Sequence, residues 1–116
     1  MNKFAEGKLA VSIGKGVFYN IEMEMCRDIF SLAVGALHEK LDVADCMCAS
    51  GVRGLRYKKE NTNVGKLLLV DLSKKAIACA KKNALQNKVK CKCIYEDANQ
   101  FLYKNEMDFV EIDPFG

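Results

Sequence analysis

The sequence predicts an α/β fold in which helices cover a parallel β-sheet, and two observations lead to that class. From about residue 41 onwards, apolar runs of strand length alternate with amphipathic stretches of helical period. The apolar runs are nearly continuous, which is typical of strands that are covered on both faces. The chain has 116 residues, half of them hydrophobic, which is enough for one compact domain.

An N-terminal extension, residues 1–40, is predicted to precede the sheet. Residues 8–19 have the pattern of a β-hairpin whose turn is the Gly-Lys-Gly run at 14–16. Residues 22–40 form an amphipathic stretch that predicts one long helix.

Residues 41–116 are predicted to form part of a sheet domain in which strands and helices alternate. We expect strands at residues 43–48, 66–71, 89–95 and 107–113, with helices at 51–59, 73–87 and 99–104. Ser73 is the expected N-cap of the second of these helices, and Pro114, the only proline, ends the last strand. In a doubly wound order the fourth strand lies beside the first.

Charge and hydropathy limit the partners and the compartment. A net charge of +3 permits a polyanionic partner such as RNA without demanding one. No apolar run reaches the roughly eighteen residues of a membrane span, and the first twenty residues lack the apolar core of a signal peptide. We therefore expect a soluble, cytoplasmic protein without a membrane partner.

Four of the six cysteines form C-x-C pairs at 46/48 and 91/93. Both pairs fall in predicted strands, so the two cysteines of each pair are expected to share one face. Structural zinc sites use C-x-x-C turns with further ligands at set distances, and His38 is the only histidine. The pattern favours free thiols in a reducing compartment, and no metal site is predicted.

Residues 73–93 contain seven lysines and no acidic residue. On a helical wheel the lysines up to Lys88 spread opposite Ala76, Ala80 and Ala84. This arrangement is typical of a solvated helix face, which is the favoured interpretation, and a dedicated RNA contact is the alternative.

The residues just after the first two strands predict a nucleotide-like ligand, because ligands bind at strand ends of open parallel sheets. Ala49, Ser50 and Gly51 let the backbone turn sharply towards a ligand, although a plain strand-to-helix turn explains them equally well. Asp71 ends the second strand, twenty residues beyond Gly51, where a carboxylate can accept both hydroxyl hydrogens of a ribose. The alternative role for Asp71 is as a partner of the next helix N-terminus.

Acidic residues also follow the third and fourth strands. Asp97 can accept from the amino group of an adenine, or it can be the N-cap of the short helix. Asp113, Pro114, Phe115 and Gly116 end the chain. A carboxylate and a carbonyl that accept the hydrogens of an exocyclic amine localise its lone pair, and an adjacent ring stacks on the base; a simple turn is the alternative.

Taken in order, these signals resemble a class I S-adenosylmethionine-dependent methyltransferase with a Rossmann-like fold. The chain more narrowly resembles the tRNA guanine-N2 dimethyltransferase family. The likeness is carried by Glu6-Gly7, Val17-Phe-Tyr-Asn20, Arg27-Asp28, Ala49-Ser-Gly-Val-Arg-Gly-Leu-Arg-Tyr57, Asp97-Ala-Asn99 and Asp113-Pro-Phe-Gly116.

The resemblance implies S-adenosylmethionine as cofactor, tRNA as partner, and one or two methyl transfers to N2 of a guanosine. It implies cofactor contacts by Phe18, Arg27, Ser50, Arg53 or Arg56, Asp71, Asp97 and Ala98. It also implies catalysis by Asp113 with Pro114 and Phe115. Ile21 and Cys26 depart from the family pattern, in which we expect a proline and an asparagine at those positions.

Family members are about three times longer, so the chain is expected to hold the first half of the sheet. We then expect a C-terminal partner polypeptide or a missing domain, with self-association of the isolated chain. Two other functions stay open: methylation of another amine in DNA, protein or RNA, and a non-catalytic fragment that binds cofactor or RNA and docks on a partner.

Overall fold

The computed structural model describes residues 2–113. Its main sheet is formed by β3 (Leu41–Cys46), β4 (Val64–Asp71), β5 (Lys92–Tyr95) and β6 (Phe109–Ile112). The strands are all parallel and lie in the order β5-β4-β3-β6. The predicted α/β class is confirmed, and β6 pairs with β3 as the doubly wound order requires.

Four helices cover the two faces of this sheet: α1 (Glu24–Ala36), α2 (Val52–Glu60), α3 (Lys74–Gln86) and α4 (Ala98–Lys104). Alternate strand residues divide the core, since Val43 and Leu69 pack with α2 and α3 whereas Ala44 and Val70 pack with α4. In the part of the chain that the structure describes, no helix has the length and apolarity to cross a bilayer.

The hairpin lies earlier in the chain than predicted. It consists of β1 (Asn2–Glu6) and β2 (Leu9–Ile13), which pair antiparallel across a turn at Gly7, whose φ is 56°. The prediction of a hairpin at 8–19 was wrong because residues 14–16 form a turn that leads out of β2. Val17 donates a hydrogen bond to the Gly14 carbonyl there.

Helix α1 is shorter than the predicted 22–40. A 3₁₀ turn at Ile21–Met23 precedes it, and Leu37 is already extended. The side-chain amide of Asn63 donates to the carbonyls of Val34, Leu37 and Glu39 at 2.8–3.2 Å. A residue from a distant loop therefore satisfies the carbonyls that further helical turns would have used.

The other predicted elements are present with shifted ends. β4 begins earlier than predicted, β5 and β6 begin later, and Ser73 is the N-cap of α3. β3 ends at Cys46, so the expectation that Cys46 and Cys48 share a face was wrong: they pack in the cores on opposite faces. Cys91 and Cys93 do pack against one core, and all six cysteines are free.

Candidate functional site

A pocket lies at the carboxyl ends of β3 and β6, between the loop after β3 and the segment that precedes α1. Five of the residues predicted for the site line it: Phe18, Arg27, Ser50, Arg53 and Asp113. The predicted Pro114 and Phe115 lie outside the described residues. Three chain segments that are distant in sequence therefore meet at one edge of the sheet.

The loop after β3 makes a sharp turn with unusual backbone angles. Met47 and Ala49 have positive φ values of 60° and 49° although neither is a glycine. Gly51, with a φ of 81°, begins α2, and a Cβ there would lie 3.1 Å from side chains of α3 and β4. Strained non-glycine residues concentrate at ligand sites, so the loop geometry supports a binding role.

Asp71 braces this loop from the end of β4. Its Oδ2 accepts a hydrogen bond from the Ala49 amide and its Oδ1 accepts one from the Ser73 amide, both at 2.9 Å. The second bond fits the helix-terminus alternative, and Asp71 is not among the residues that line the pocket. Each carboxylate oxygen still has a second lone pair, so the ribose role stays a prediction.

Asp97 is the N-cap of α4, since its Oδ2 accepts from the Gln100 amide at 3.2 Å. Ala98 is the first residue of that helix and is buried. The Glu96 amide donates to the Asp71 carbonyl at 3.1 Å, which holds the ends of β4 and β5 side by side. The capping alternative is therefore present in the structure, and the adenine contact stays a prediction.

Arg27 reaches the pocket from a group of charged residues, the hairpin cluster, formed by Glu6, Arg27, Asp28, Arg56 and Glu60. Glu6, Arg27 and Arg56 are its buried members. Glu6, at the end of β1, accepts bonds at 2.8 and 2.7 Å from Nε and Nη2 of Arg27. It also accepts from the Arg56 guanidinium at 3.0 Å and from the Tyr19 hydroxyl. One carboxylate therefore ties the hairpin to α1, α2 and the segment before α1.

The pKa values in the hairpin cluster reflect this pairing. Burial alone would raise the pKa of Glu6, but hydrogen bonds from Arg27 and Tyr19 outweigh it and hold the pKa below its ordinary value. Burial and the bond to Glu6 raise the pKa of the Tyr19 hydroxyl to about 12. The cluster is therefore held in its charged form.

The two arginines of α2 are placed differently. Arg56 pairs with Glu6, Asp28 and Glu60 at 2.6–3.0 Å and does not line the pocket. Arg53 does line the pocket, and its guanidinium lies over the Phe30 ring, with Cζ 5.5 Å from the ring centroid. Of the two candidates that the sequence left open, Arg53 is the one that faces the site.

Arg53 pairs with two of the three carboxylates at the strand ends. The strand-end acid group consists of Asp45, Glu111 and Asp113. Arg53 contacts Glu111 at 2.9 Å and Asp113 at 3.2 Å, and Glu111 also accepts from the Tyr57 hydroxyl at 2.9 Å. Among the described residues, one bonded arginine thus faces three carboxylates.

Asp45 is the most buried member of this group, with 2% of its surface exposed. Burial raises its pKa to about 7, and the nearby charge of Glu111 adds to the rise, whereas a 3.0 Å bond from the Gly54 amide opposes it. Sequence reasoning assigned no role to Asp45 or Glu111. The available signal was an acidic residue inside an otherwise apolar strand.

The described residues contain no group of three histidine, cysteine or acidic side chains that could hold a metal ion. The site contains charged side chains of both signs. It offers carboxylates for a cationic or amine-bearing ligand, arginines for an anionic group, and backbone amides on the loop after β3.

The sequence matches a family described as N2,N2-dimethylguanosine tRNA methyltransferase over residues 2–116. A tRNA (guanine(26)-N(2))-dimethyltransferase of Sulfurisphaera tokodaii is 46% identical over 100 residues, which cover 86% of this chain and 26% of that protein. The corresponding protein of Methanocaldococcus jannaschii is 42% identical over 120 residues, covering 94% and 32%. The chain spans about a quarter to a third of the length of these relatives.

Solved structures show the same arrangement of strands and helices. The structure of Trm1 from Pyrococcus horikoshii with S-adenosyl-L-methionine superposes with a TM-score of 0.89 at 25% identity, covering 100% of this chain and 36% of that one. The complex of aTrm5 with tRNALeu superposes with a TM-score of 0.72 at 23% identity, covering 91% and 29%, and shows the fold alone.

Proposed function

The chain belongs to the N2,N2-dimethylguanosine tRNA methyltransferase family, and we propose that it binds S-adenosylmethionine and methylates N2 of a guanosine in tRNA. The reaction is proposed as one methyl transfer followed by a second. The observation that carries the proposal is the position of Asp113. This member of the strand-end acid group lines the pocket beside the loop after β3 and is paired with Arg53. The names of the relatives support the substrate.

The pocket residues fit the charges of the proposed cofactor. S-adenosylmethionine carries a sulfonium and an ammonium, a carboxylate, a ribose and an adenine. Asp45, which lines the pocket, suits a cation of the cofactor, and Arg27 suits the carboxylate. Asp71 is proposed to accept from the ribose hydroxyls, with Asp97 and the Ala98 amide at the adenine.

Three further residues complete the proposed site. Phe18 and Ser50 line the pocket and are proposed to contact the cofactor, together with Arg53. Phe18 and Arg27 belong to the extension at residues 1–40, and the others belong to the partial sheet domain at 41–116. The extension is thus proposed to form one wall of the cofactor site, and Glu6 fixes its hairpin to α1 and to α2 of the sheet domain.

Asp113 is proposed to act on the target amine. The cofactor supplies an electrophilic methyl group bonded to a sulfonium. The exocyclic nitrogen is a weak nucleophile because its lone pair is delocalised into the guanine ring. A carboxylate that accepts a hydrogen bond from one N–H of the amine localises the nitrogen lone pair towards the methyl group. With the cofactor bound, its methyl group would pass to the amine nitrogen while sulfur kept the electron pair of the broken C–S bond, and the Asp113 carboxylate would accept the proton that the nitrogen releases.

Arg53 and the residues after Asp113 are proposed to prepare this step. The 3.2 Å contact from Arg53 is proposed to orient the Asp113 carboxylate for this step. Pro114 and Phe115 are proposed to supply a backbone carbonyl and a ring that stacks on the base.

We propose that β6 pairs with a further strand supplied by a C-terminal segment or by a partner polypeptide. Among the described residues β6 is the outer strand on that side of the sheet, and Val110 and Ile112 are exposed. Unpaired strand edges associate with other strands. The chain alone is therefore proposed to self-associate and to be inactive on tRNA. The six free thiols fit a reducing compartment, and a cytoplasmic location is proposed.

The test is transfer of a tritiated methyl group to an unmodified tRNA transcript, with the C-terminal part of a relative supplied as a second polypeptide. Asp113→Ala should lower turnover by roughly 100-fold or more, because it removes an interaction made with the reacting amine. Affinity for S-adenosylmethionine, measured by calorimetry, should change less than about twofold.

Glu106→Ala removes an exposed carboxylate from the loop before β6 and is the matched control, with unchanged turnover expected. Wild-type turnover in Asp113→Ala would contradict the proposed mechanism. Efficient methylation of DNA adenine or of protein, with none of tRNA, would contradict the proposed substrate.

A further inference from the structure

Charge is distributed unevenly along the chain, and the charged side chains of one stretch are all positive. Residues 72–95 hold seven of the chain's 18 basic residues and none of its 15 acidic residues. Four of these lysines lie on α3: Lys74, Lys75, Lys81 and Lys82. Lys88 and Lys90 lie between α3 and β5, and Lys92 is the first residue of β5. All seven are exposed, and the four on α3 form the lysine surface.

The lysines of α3 form two rows along the exposed side of the helix. Residues seven apart fall on nearly the same line of a helix, so Lys74 and Lys81 form one row and Lys75 and Lys82 the other. Within a row the two positions are roughly 10.5 Å apart along the axis. The opposite side of α3 is buried through Ala76, Ile77 and Ala80.

An ordinary solvated face mixes charges of both signs, and the rest of this molecule does so. The salt bridges of the described residues join arginines and Lys104 to acidic partners, and none includes Lys74, Lys75, Lys81, Lys88, Lys90 or Lys92. Clustered like charges repel one another. A polyanion bound to this surface would neutralise the lysine charges and relieve their mutual repulsion.

We propose that the lysine surface binds the phosphate backbone of the RNA that presents its base to the pocket; this inference rests on the proposed function. An anionic membrane fits less well, because the apolar side of α3 is packed on the sheet and cannot enter a bilayer. Phosphate contacts need only exposed cations, which this face supplies, and they fix the position of an RNA without reading its sequence.

The surface begins next to the pocket. Helix α3 starts three residues after Asp71, whose carboxylate holds the Ala49 amide of the pocket loop. Gly16, in the segment that leads to Phe18, lies against Lys75. A Cβ at Gly16 would be 3.5 Å from the Lys75 side chain. Lys74 stands over the ring of Tyr95, with Nζ 5.6 Å from its centroid. An RNA stem lying along α3 would therefore approach the mouth of the pocket at the start of the helix.

The test compares two triple variants that remove equal charge. The first carries Lys74→Gln, Lys75→Gln and Lys81→Gln on the lysine surface. The matched control carries Lys3→Gln, Lys40→Gln and Lys66→Gln, three exposed lysines on β1 and at the amino ends of β3 and β4. Affinity for a fluorescent unmodified tRNA transcript is measured by anisotropy from 50 to about 300 mM KCl.

The logarithm of the affinity falls linearly with the logarithm of the salt concentration. Each lost phosphate contact makes this slope shallower by roughly 0.9 for a duplex and roughly 0.7 for a single strand. The first variant should lose about 2 to 3 units of slope and bind tRNA roughly tenfold or more weakly at 100 mM KCl. The control should retain the wild-type slope within about half a unit. Circular dichroism and urea unfolding establish that both variants are folded.

Equal losses in both variants would show an effect of net charge alone and overturn the proposal. No loss in the first variant, or no tRNA binding by the wild type, would overturn it as well. If the three substitutions on the lysine surface weaken binding to anionic vesicles more than binding to tRNA, the surface binds a membrane and the proposal is overturned. Failure of the proposed function looks different: S-adenosylmethionine then fails to bind in calorimetry while the loss of RNA affinity remains.

Discussion

The hairpin cluster and the strand-end acid group each contain a buried carboxylate, Glu6 and Asp45, but they balance charge in different ways. In the hairpin cluster two arginines meet three carboxylates, and Glu6 alone accepts from both arginines and Tyr19. In the strand-end acid group, Arg53 is bonded to two of three carboxylates and leaves Asp45 with a backbone amide. The first arrangement ties the hairpin to α1 and α2, whereas the second leaves three carboxylates beside one arginine.

The pKa shifts of the two groups run in opposite directions. Hydrogen bonds from arginines outweigh burial and lower the pKa values of Glu6 and Glu60. Burial raises the pKa of Asp45 to about 7. The hairpin cluster therefore contributes stability above the unfolded-state pKa of its acids, which is lost as the pH falls through the folded values. Asp45 destabilises the fold progressively as the pH rises from about 4 to about 7.

The largest effect is expected for Glu6→Gln. The amide oxygen can still accept hydrogen bonds but carries no charge, so Arg27 loses its ion pair with Glu6 and Arg56 loses one of its three ion pairs. Breaking a buried ion pair costs about 3–5 kcal/mol in free energy of unfolding. Urea unfolding at pH 7 measures it, with Glu22→Gln on the exposed 3₁₀ turn as control. A loss below about 1 kcal/mol would mean that the hairpin cluster does not hold the extension in place.

A smaller effect of opposite sign is expected for Asp45→Asn. The amide oxygen can still accept from Gly54, and no buried charge remains. One pKa unit corresponds to about 1.4 kcal/mol, so the variant should be more stable than wild type by about 2–4 kcal/mol at pH 8. The gain should shrink towards zero near pH 4. Urea unfolding across this range measures it, and a difference that does not vary with pH would contradict the shift.

The smallest effects are expected at Asp97, where two substitutions separate its two roles. Asp97→Ser keeps a capping oxygen for α4 but shortens the side chain, so stability should hold within about 0.5 kcal/mol. Asp97→Ala removes the cap and should cost about 1 kcal/mol. If Asp97 also contacts the cofactor, both variants should bind S-adenosylmethionine a few-fold more weakly. Unchanged affinity in both would leave capping as its role.

The order of elements in the sheet domain follows from local pattern, and the sequence predicts it. KLLLVD at 66–71 is apolar and bounded by polar residues, and Ser73 caps the following helix, so β4 and α3 are confirmed with small shifts. The hairpin and the end of α1 depend on distant partners. Gly7 turns against Arg56 and Glu60, and Asn63 caps α1 from another loop. Periodicity within a segment contains no information about such contacts.

The site residues also divide into those that local sequence pattern predicts and those that depend on distant contacts. Strand ends predict Asp71, Asp97 and Asp113 because parallel strands bring their carboxyl ends to one edge, and of the three Asp113 lines the pocket. The choice between Arg53 and Arg56 depends on which acids surround α2, and only the fold brings Glu6, Asp28 and Glu60 to Arg56. Cys48 lies on the other face from Cys46 because the backbone at Met47 leaves the extended conformation.

The central claim is that the edge of the sheet around Asp71 and the strand-end acid group is a cofactor site. The most direct measurement is a calorimetric titration of S-adenosylmethionine into the 116-residue chain and its Asp71→Ala and Glu106→Ala variants. We predict one binding event per chain, weakened by about 1.5–3 kcal/mol in Asp71→Ala and unchanged in Glu106→Ala. Failure of the wild-type chain to bind, or equal affinity in Asp71→Ala, would contradict the account.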